Sequence, residues 1–294
     1  MRNCASIARS DSYVSILLIM LNLLQQAARF SQICLLLVGG LVIASVSHAS
    51  ALEARQCANS LGQASTSEEA VLGLELRVLS WNIQKASNEG WDNDLSQVGE
   101  HIQLAFIQEA SLQAPIAQTL PMPLYQAFAA GYTSDSAETG VLTLSTGYPS
   151  LVCNLTAWEP WLGTPKATSI TEYPLAGRSD RLLAINMHAV NFSVGLDSFS
   201  EQIHAVSELL ERHEGPVIVA GDLNTWSSAR QALVDDFMQT HQLVSINFEP
   251  DLRTTAFGRA LDHMYVRGIT AQSARVFPVS SSDHNPLLVN LQIL

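Results

Sequence analysis

Short apolar runs that end on a polar residue recur along this chain, and they constrain its fold more than any other feature. LRVLSWN ends at Asn82, LAFIQE at Glu109, LLAINMH at His188, and VIVAGDLN at Asp222 and Asn224. Each run has the length and residue content of a strand, and the end of a strand is where a sheet edge forms a site. Two further polar pairs open strands instead: Asp262 and His263 in FGRALDHMYV, and Asp283 and His284 before PLLVNL. Singly, Asn and Asp at strand ends make Asx turns, and a lone His is a satisfied core residue. Together they supply the carboxylate, amide and imidazole groups of one polar site.

Strand-like stretches are expected at 74–81, 104–108, 141–145, 167–173, 181–187, 216–220, 263–266 and 287–291. Helical patterns lie between them, the clearest over 198–212, with Ile203, Val206, Leu209 and Leu210 on one face, and a second over 228–240. Strands outnumber helices and several are bounded by short turns, so the sheets are expected to be mixed or antiparallel. Residues 50–73 are rich in Ala, Ser, Gln and Glu and read as a linker, which starts the domain at 74 and runs it to 294.

Two apolar runs precede residue 50, and the second, 33–46, ends in Ser47-His48-Ala49 behind the basic Arg29. This pattern reads as a signal peptide cleaved after Ala49, with Met20 a better-placed start than Met1. The alternatives are an uncleaved anchor, since 30–49 has about the ~20 residues that span a bilayer, and a cytoplasmic chain. Removing the leader leaves two cysteines, Cys57 and Cys153, which form either a disulfide in an oxidising compartment or two unrelated thiols.

Only two lysines, Lys85 and Lys166, occur in the chain, and residues 50–294 carry 12 basic against 26 acidic side chains, a net charge of −14. Nonspecific binding of long nucleic acid draws its affinity from Lys and Arg that neutralise phosphates. No broad nonspecific DNA-binding surface is therefore expected, and a small or locally recognised substrate fits better. Chemically, Glu109 with an Asp offers oxygen ligands of the kind Mg²⁺ requires. The two histidines can contact an anionic phosphoryl oxygen or act as acids. Asp222 and Asn224, at i and i+2, project to the same side of an extended segment and can hold a water. No G-x-S-x-G elbow, phosphate-binding P-loop, H-E-x-x-H or G-x-G-x-x-G occurs.

LSWNIQKA, FIQEA, NMHAVN, AGDLNTW, LDHMYV and SSDHNPLL follow one another over residues 74–294, and this ordered set resembles the endonuclease/exonuclease/phosphatase superfamily. The stretches NMHAVNFSVGLD, FGRALDHMYVRG and SDHNPLLVNL look most like its bacterial YafD-type branch. The resemblance implies a DNase I-like α/β fold, a four-layer sandwich of two packed mixed or antiparallel β-sheets flanked by helices. It implies Glu109 as principal Mg²⁺ ligand, with Mn²⁺ a substitute, Asn82 beside it and Asp283 near the metal. Asp222 would activate the attacking water and Asn224 would position it. His284 would contact the scissile phosphate with Asp262 holding its tautomer, and His188 would lie close to the phosphate or leaving oxygen. Asn191, Lys166 and Arg259 are the candidates for extra phosphate contacts. Nuclease relatives often carry an acidic residue two positions after the first Asn, whereas Gln84 stands here, which argues against a second metal.

The resemblance thus predicts a monomeric metal-dependent phosphoesterase acting on a small phosphate ester, a lipid headgroup or a nucleic acid. A nuclease of the same superfamily is the alternative, and a non-catalytic binding module on the same fold is the third reading.

Overall fold

The computed structural model describes residues 52–63, 70–122, 124–134, 137–160, 162–193 and 195–294. The expected leader and its cleavage point lie outside the described residues. Among those described, no helix is long and apolar enough to cross a membrane.

Two six-stranded sheets carry the structure. The first is built on a parallel pair, β1 (Glu75–Asn82) and β2 (Leu104–Ser111). Antiparallel strands β4 (Glu138–Ser145) and β3 (Tyr125–Thr133) extend it beyond β2, and β14 (Leu287–Ile293) and β13 (Ile269–Val276) extend it beyond β1. The second sheet is built on β7 (Arg181–His188) and β8 (Val217–Asp222), also parallel. Here β6 (Pro165–Pro174) and β5 (Leu151–Trp158) lie beyond β7, and β12 (Asp262–Arg267) and β9 (Val244–Ser245) beyond β8, all antiparallel. Each sheet therefore has one parallel junction flanked by two antiparallel junctions on either side. A small hairpin, β10 (Thr255–Ala256) and β11 (Arg259–Ala260), stands apart from both.

A parallel junction needs a crossover. Helix α2 (Trp91–Val98) lies in the crossover of the first sheet, and α4 (Asp197–His204) and α5 (Ser207–Arg212) lie in that of the second. The helices cover the outer faces, so the central strands are buried on both sides. Val78, Phe106, Ala184, Ile218, Met264 and Val289 fill the space between the sheets. Their sequence neighbours Leu79, Ile107 and Leu288 pack outward with Leu95 and Val98 of α2. On the far side, Ile185 and Val219 meet Phe199 and Ile203 of α4 and Val234 and Phe237 of α6 (Ser228–Thr240). Double burial explains why these strands read as unbroken apolar runs rather than as an alternation.

Two expectations need correction. Within the expected linker over 50–73, residues 52–59 form a helix, α1, and Leu72 is buried and bridges to Leu175. Ala54, Cys57, Ala58 and Leu61 recur at i, i+3, i+4 and i+7, a helical face made of residues too small to stand out in a hydropathy reading, and they pack on the core of the second sheet. The pattern over 198–212 is two helices, broken at Ala205 and Val206 with no Gly or Pro to mark the break. Cys57 and Cys153 form a disulfide that ties α1 to β5, closing a loop over 96 positions. Replacing both cysteines by Ser is expected to lower stability by about 2–4 kcal/mol, measured by denaturant unfolding.

Away from the strand ends described below, Glu172 is buried in β6 among polar partners. It accepts the Gly62 N–H at 3.0 Å and the Ser150 hydroxyl at 3.2 Å, with His213 Nδ1 at 3.6 Å and Arg181 at 3.8 Å. Burial pushes its carboxyl up, but the His213 and Gly62 hydrogen bonds and the His213 and Arg181 charges outweigh it and hold the group below its ordinary value of 4.5. A carboxylate depressed on folding adds stability above its unfolded pKa and loses it as pH falls toward the folded value. Glu172→Gln is therefore expected to melt a few degrees below wild type near neutrality, with the gap closing below about pH 4. A gap unchanged between neutral and acid pH, in thermal melts followed by circular dichroism, would refute this account.

Candidate active site

The two parallel junctions bring four side chains to one edge. In the first sheet Asn82 stands opposite Gln108, the residue before Glu109, and in the second His188 stands opposite Asp222. Because β12 runs antiparallel to β8, its first residue, Asp262, pairs with the last of β8, Asp222. Because β14 runs antiparallel to β1, the loop entering it arrives at the Asn82 end. There the Ser282 hydroxyl donates to the Asn82 carbonyl at 2.7 Å and the Trp81 indole N–H to the His284 carbonyl at 2.8 Å. Strand-closing and strand-opening polar residues thus meet at one edge, as is usual for sites at the carboxyl ends of parallel strands.

They line a cleft of about 590 Å³ that includes Asn82, Glu109, His188, Asp222, Asn224, Asp283 and His284. Asp222 is at its centre. Its Oδ2 accepts from Asn82 Nδ2 at 3.0 Å and its Oδ1 from the Asn224 N–H at 3.1 Å. His188 Nε2 and His284 Nε2 lie 3.5 and 3.8 Å from Oδ2. Behind His284, Asp262 accepts from Nδ1 at 2.7 Å and fixes the ring. One glycine makes this possible: Gly221 has φ +142°, and a Cβ there would fall 2.0 Å from the Met187 carbonyl oxygen. Only a residue without a side chain lets β7 and β8 approach closely enough to set His188 beside Asp222.

The two histidines are driven in opposite directions. Burial, reinforced by the Lys166 charge, lowers His188 to about 3. Lys166 Nζ lies 3.1 Å from its Nε2, and an ammonium has only hydrogens to offer, so Nε2 is the acceptor. Burial also disfavours a charge on His284, but Asp262, followed by Asp222 and Asp283, raises it to about 10, so it is an imidazolium at neutrality. Burial raises the Asp222 carboxyl, which makes it a stronger base.

Asp222, Asp262 and His284 offer ligand atoms within 4.8 Å of one another. The His284 Nδ1 contact with Asp262 is already a hydrogen bond, so this trio is a held imidazolium rather than a metal cage. The carboxylate of Glu109 and the amide oxygen of Asn82 are donors that suit a hard cation better, with His188 Nε2 3.9 Å from Glu109 Oε1. A cation already stands there: Lys85 Nζ lies 2.7 Å from Glu109 Oε2.

Asn191 and Lys166 also line the cleft, while Asp262 reaches it through His284. Arg259 does not line it. The Phe257–Gly258 turn places Arg259 in a separate hollow with Asp235, Asp251, Arg253 and His263, which corrects the expectation for that residue. Three residues with structural parts in the site are absent from the sequence-based list. Lys85 is signalled only by the scarcity of lysine. Glu159, buried, accepts the N–H groups of Asn191 and Phe192 at 2.8 and 3.2 Å and holds that loop. Arg230, also buried, lies between the rings of Phe199 and Trp226 and donates to the carbonyls of Val190, Asn191 and Asn224. Its signal is a charge on the buried face of α6, in line with Val234, Phe237 and Met238.

The family model for the Endonuclease/Exonuclease/phosphatase family matches residues 79–284. The chain belongs to this family. Among its relatives, a UPF0294 protein of Vibrio vulnificus is 36% identical over 239 residues, covering 81% of this chain and 82% of that one. One from Yersinia pseudotuberculosis is 38% identical over 226 residues, covering 74% and 84%. The fold is shared with solved structures of low identity. A mannosyl-6-phosphatase of Bacteroides thetaiotaomicron aligns with TM-score 0.55 and 16% identity, covering 74% of this chain and 99% of that one. The human Nocturnin catalytic domain with bound sulfate aligns with TM-score 0.57 and 14% identity, covering 77% and 97%.

Arg230→Met leaves three loop carbonyls without their donor, a cost on the order of 2–4 kcal/mol. The expected melting temperature falls by about 5–15 °C, and differential scanning calorimetry is the measurement.

Proposed function

We propose that the chain hydrolyses a phosphate ester by attack of a water that Asp222 deprotonates, assisted by a hard divalent cation. The observation that carries this reading is the opposed tuning of His188 and His284 on either side of Asp222. Environments that drive neighbouring titratable groups apart are what acid–base work at neutral pH requires. Phosphoester hydrolysis, the activity of the superfamily, gives that machinery its use.

In this proposal the raised Asp222 carboxyl takes the proton of the water, while the Asn224 N–H and the Asn82 amide hold that carboxylate in place. The imidazolium of His284 donates from Nε2 to a phosphoryl oxygen, and its charge offsets the negative charge that develops there. Asp262 keeps the ring oriented and charged. Neutral His188 adds a polar wall without a second positive charge, and Lys166 and Asn191 border the phosphate space. Glu109, with Asn82 and Asp283, would hold Mg²⁺ or, as a substitute, Mn²⁺, which supplies Lewis-acid polarisation of a phosphoryl oxygen.

A compact ester suits the cleft better than a long nucleic acid, because both lysines that line it face carboxylates, Lys85 on Glu109 and Lys166 at 3.9 Å from Glu159. We also propose that the chain is exported, a reading supported by the Cys57–Cys153 disulfide, a bond that persists in oxidising compartments.

The test is hydrolysis by the purified chain of bis-p-nitrophenyl phosphate, p-nitrophenyl phosphate, a sugar phosphate, sphingomyelin and plasmid DNA, with Mg²⁺, Mn²⁺ or EDTA. Turnover of a small ester is expected to vanish in EDTA and return with Mg²⁺. Asp222→Asn and His284→Ala are each expected to lower kcat by roughly 10²–10⁴-fold. Variants that match wild type would remove Asp222 and His284 from the chemistry, and a preference for DNA would replace the small-ester reading with the nuclease one.

A further inference from the structure

The Lys85–Glu109 contact joins two stretches of backbone that are both strained. Gln84, Lys85 and Ala86 have φ of +48°, +63° and +53°, three consecutive non-glycine residues in the left-handed region. L-residues occupy that region at a cost and normally one at a time. The turn is held at its first residue, Gln84. The Gln84 N–H donates to Asn82 Oδ1 at 3.1 Å, and the Gln84 side chain accepts from the Asp283 N–H at 3.3 Å and from Asn88 Nδ2 at 2.7 Å. Glu109 itself has φ +49°, on the bulge where β2 and β4 change register between Ile107 and Ala110. Strain of this kind persists where the surroundings over-determine it and collects at functional positions. Here its result is that Lys85 and Glu109 point at each other across the cleft wall, Nζ to Oε2 at 2.7 Å.

We propose that Lys85 is the built-in counter-ion of Glu109 and that a divalent cation must displace it to bind, so that Lys85 sets the cation affinity of the site. The inference rests on the assignment of Glu109 as the cation's ligand. With the ammonium in place, Glu109 is neutralised and one of its oxygens is occupied. Without it Glu109, 24% exposed, would stand as an uncompensated carboxylate in the cleft that also holds Asp222. Only the fraction of molecules with the pair open is competent to bind, and the apparent affinity falls by that fraction. Once displaced, the ammonium stays tethered by this turn to the wall of the same cleft, and it opposes the incoming charge. Lys85 thus weakens cation binding in both states.

The test is isothermal titration of the metal-free full chain with MgCl₂, repeated with MnCl₂ followed by electron paramagnetic resonance. Lys85→Met is expected to bind either cation about two- to fivefold more tightly than wild type. Lys85→Arg, whose fork grips a carboxylate at two points, is expected to bind more weakly than wild type, whereas a merely structural role for a basic side chain would leave it unchanged. Glu109→Gln is expected to lose binding. Lys85→Met with equal or weaker affinity, while Glu109→Gln still loses binding, overturns the counter-ion role alone. Wild-type affinity in Glu109→Gln overturns the ligand assignment and the counter-ion role with it. If Lys85→Met is poorly folded, Lys85→Gln, which keeps the length and polarity without the charge, gives the same comparison.

Discussion

The hydrogen bond from Asn82 to Asp222 is the point on which the rest of the site depends, because its two ends belong to different sheets. Each sheet would bring its own polar residues to an edge, but neither alone has a complete set. The pair is held by a second amide contact between the layers, where Gln108 Nε2 donates to Asn186 Oδ1 at 2.8 Å and Asn186 donates in turn to the Leu142 carbonyl at 3.1 Å. Both residues are fully buried, and Asn186 also donates to the Thr143 hydroxyl. Unpaired amides there would be costly, so the contact fixes the offset of one sheet on the other. That offset places Asn82 against Asp222, and from Asp222 the positions of His188, His284 and Asp262 follow by strand register.

Within this frame, charge is placed by neutralisation rather than by excess. The chain is strongly acidic, yet the cations near the cleft each have an assigned partner: Lys85 on Glu109, Lys166 between His188 and Glu159, and His284 on Asp262. Among the described residues Arg230 has no carboxylate at ion-pair distance and is satisfied by backbone carbonyls, the Ser193 hydroxyl and aromatic faces, a solution suited to a planar guanidinium and closed to lysine. The cleft therefore holds much ionisable chemistry with little free charge, which keeps its groups responsive to a bound phosphate.

The central strands were legible because they are buried on both faces, and double burial writes itself into sequence as unbroken apolar runs. The long strands missing from that reading, β3, β5 and β13, are all sheet edges with one face in solvent. Their compositions, ITAQSARV for β13 being the extreme case, carry no such signal. Helix α1 was hidden for a different reason, since Ala and Cys make a narrow face that looks like a linker until it is set against a core. The site was legible to the same depth. Residues at the ends of the apolar runs could be named because strand ends are visible, and so could those opening β12 and the loop before β14. Arg259 could not be excluded, because its direction depends on a two-residue turn. Lys85 and Arg230 carried only weak signals, a rare residue type and a charge on an apolar helix face, because one acts through a strained backbone and the other through backbone carbonyls.

The close approach at Gly221 has a consequence for how this chain can vary. A methyl group there would meet the Met187 carbonyl and part the two strands whose last residues are His188 and Asp222. Substitution at this one backbone position therefore reaches the chemistry without touching any reacting group. The solvent-facing positions of β13, by contrast, can change composition freely. Tolerance to mutation in this fold is graded from its edges inward, and it reaches zero not at a charged residue but at a missing side chain.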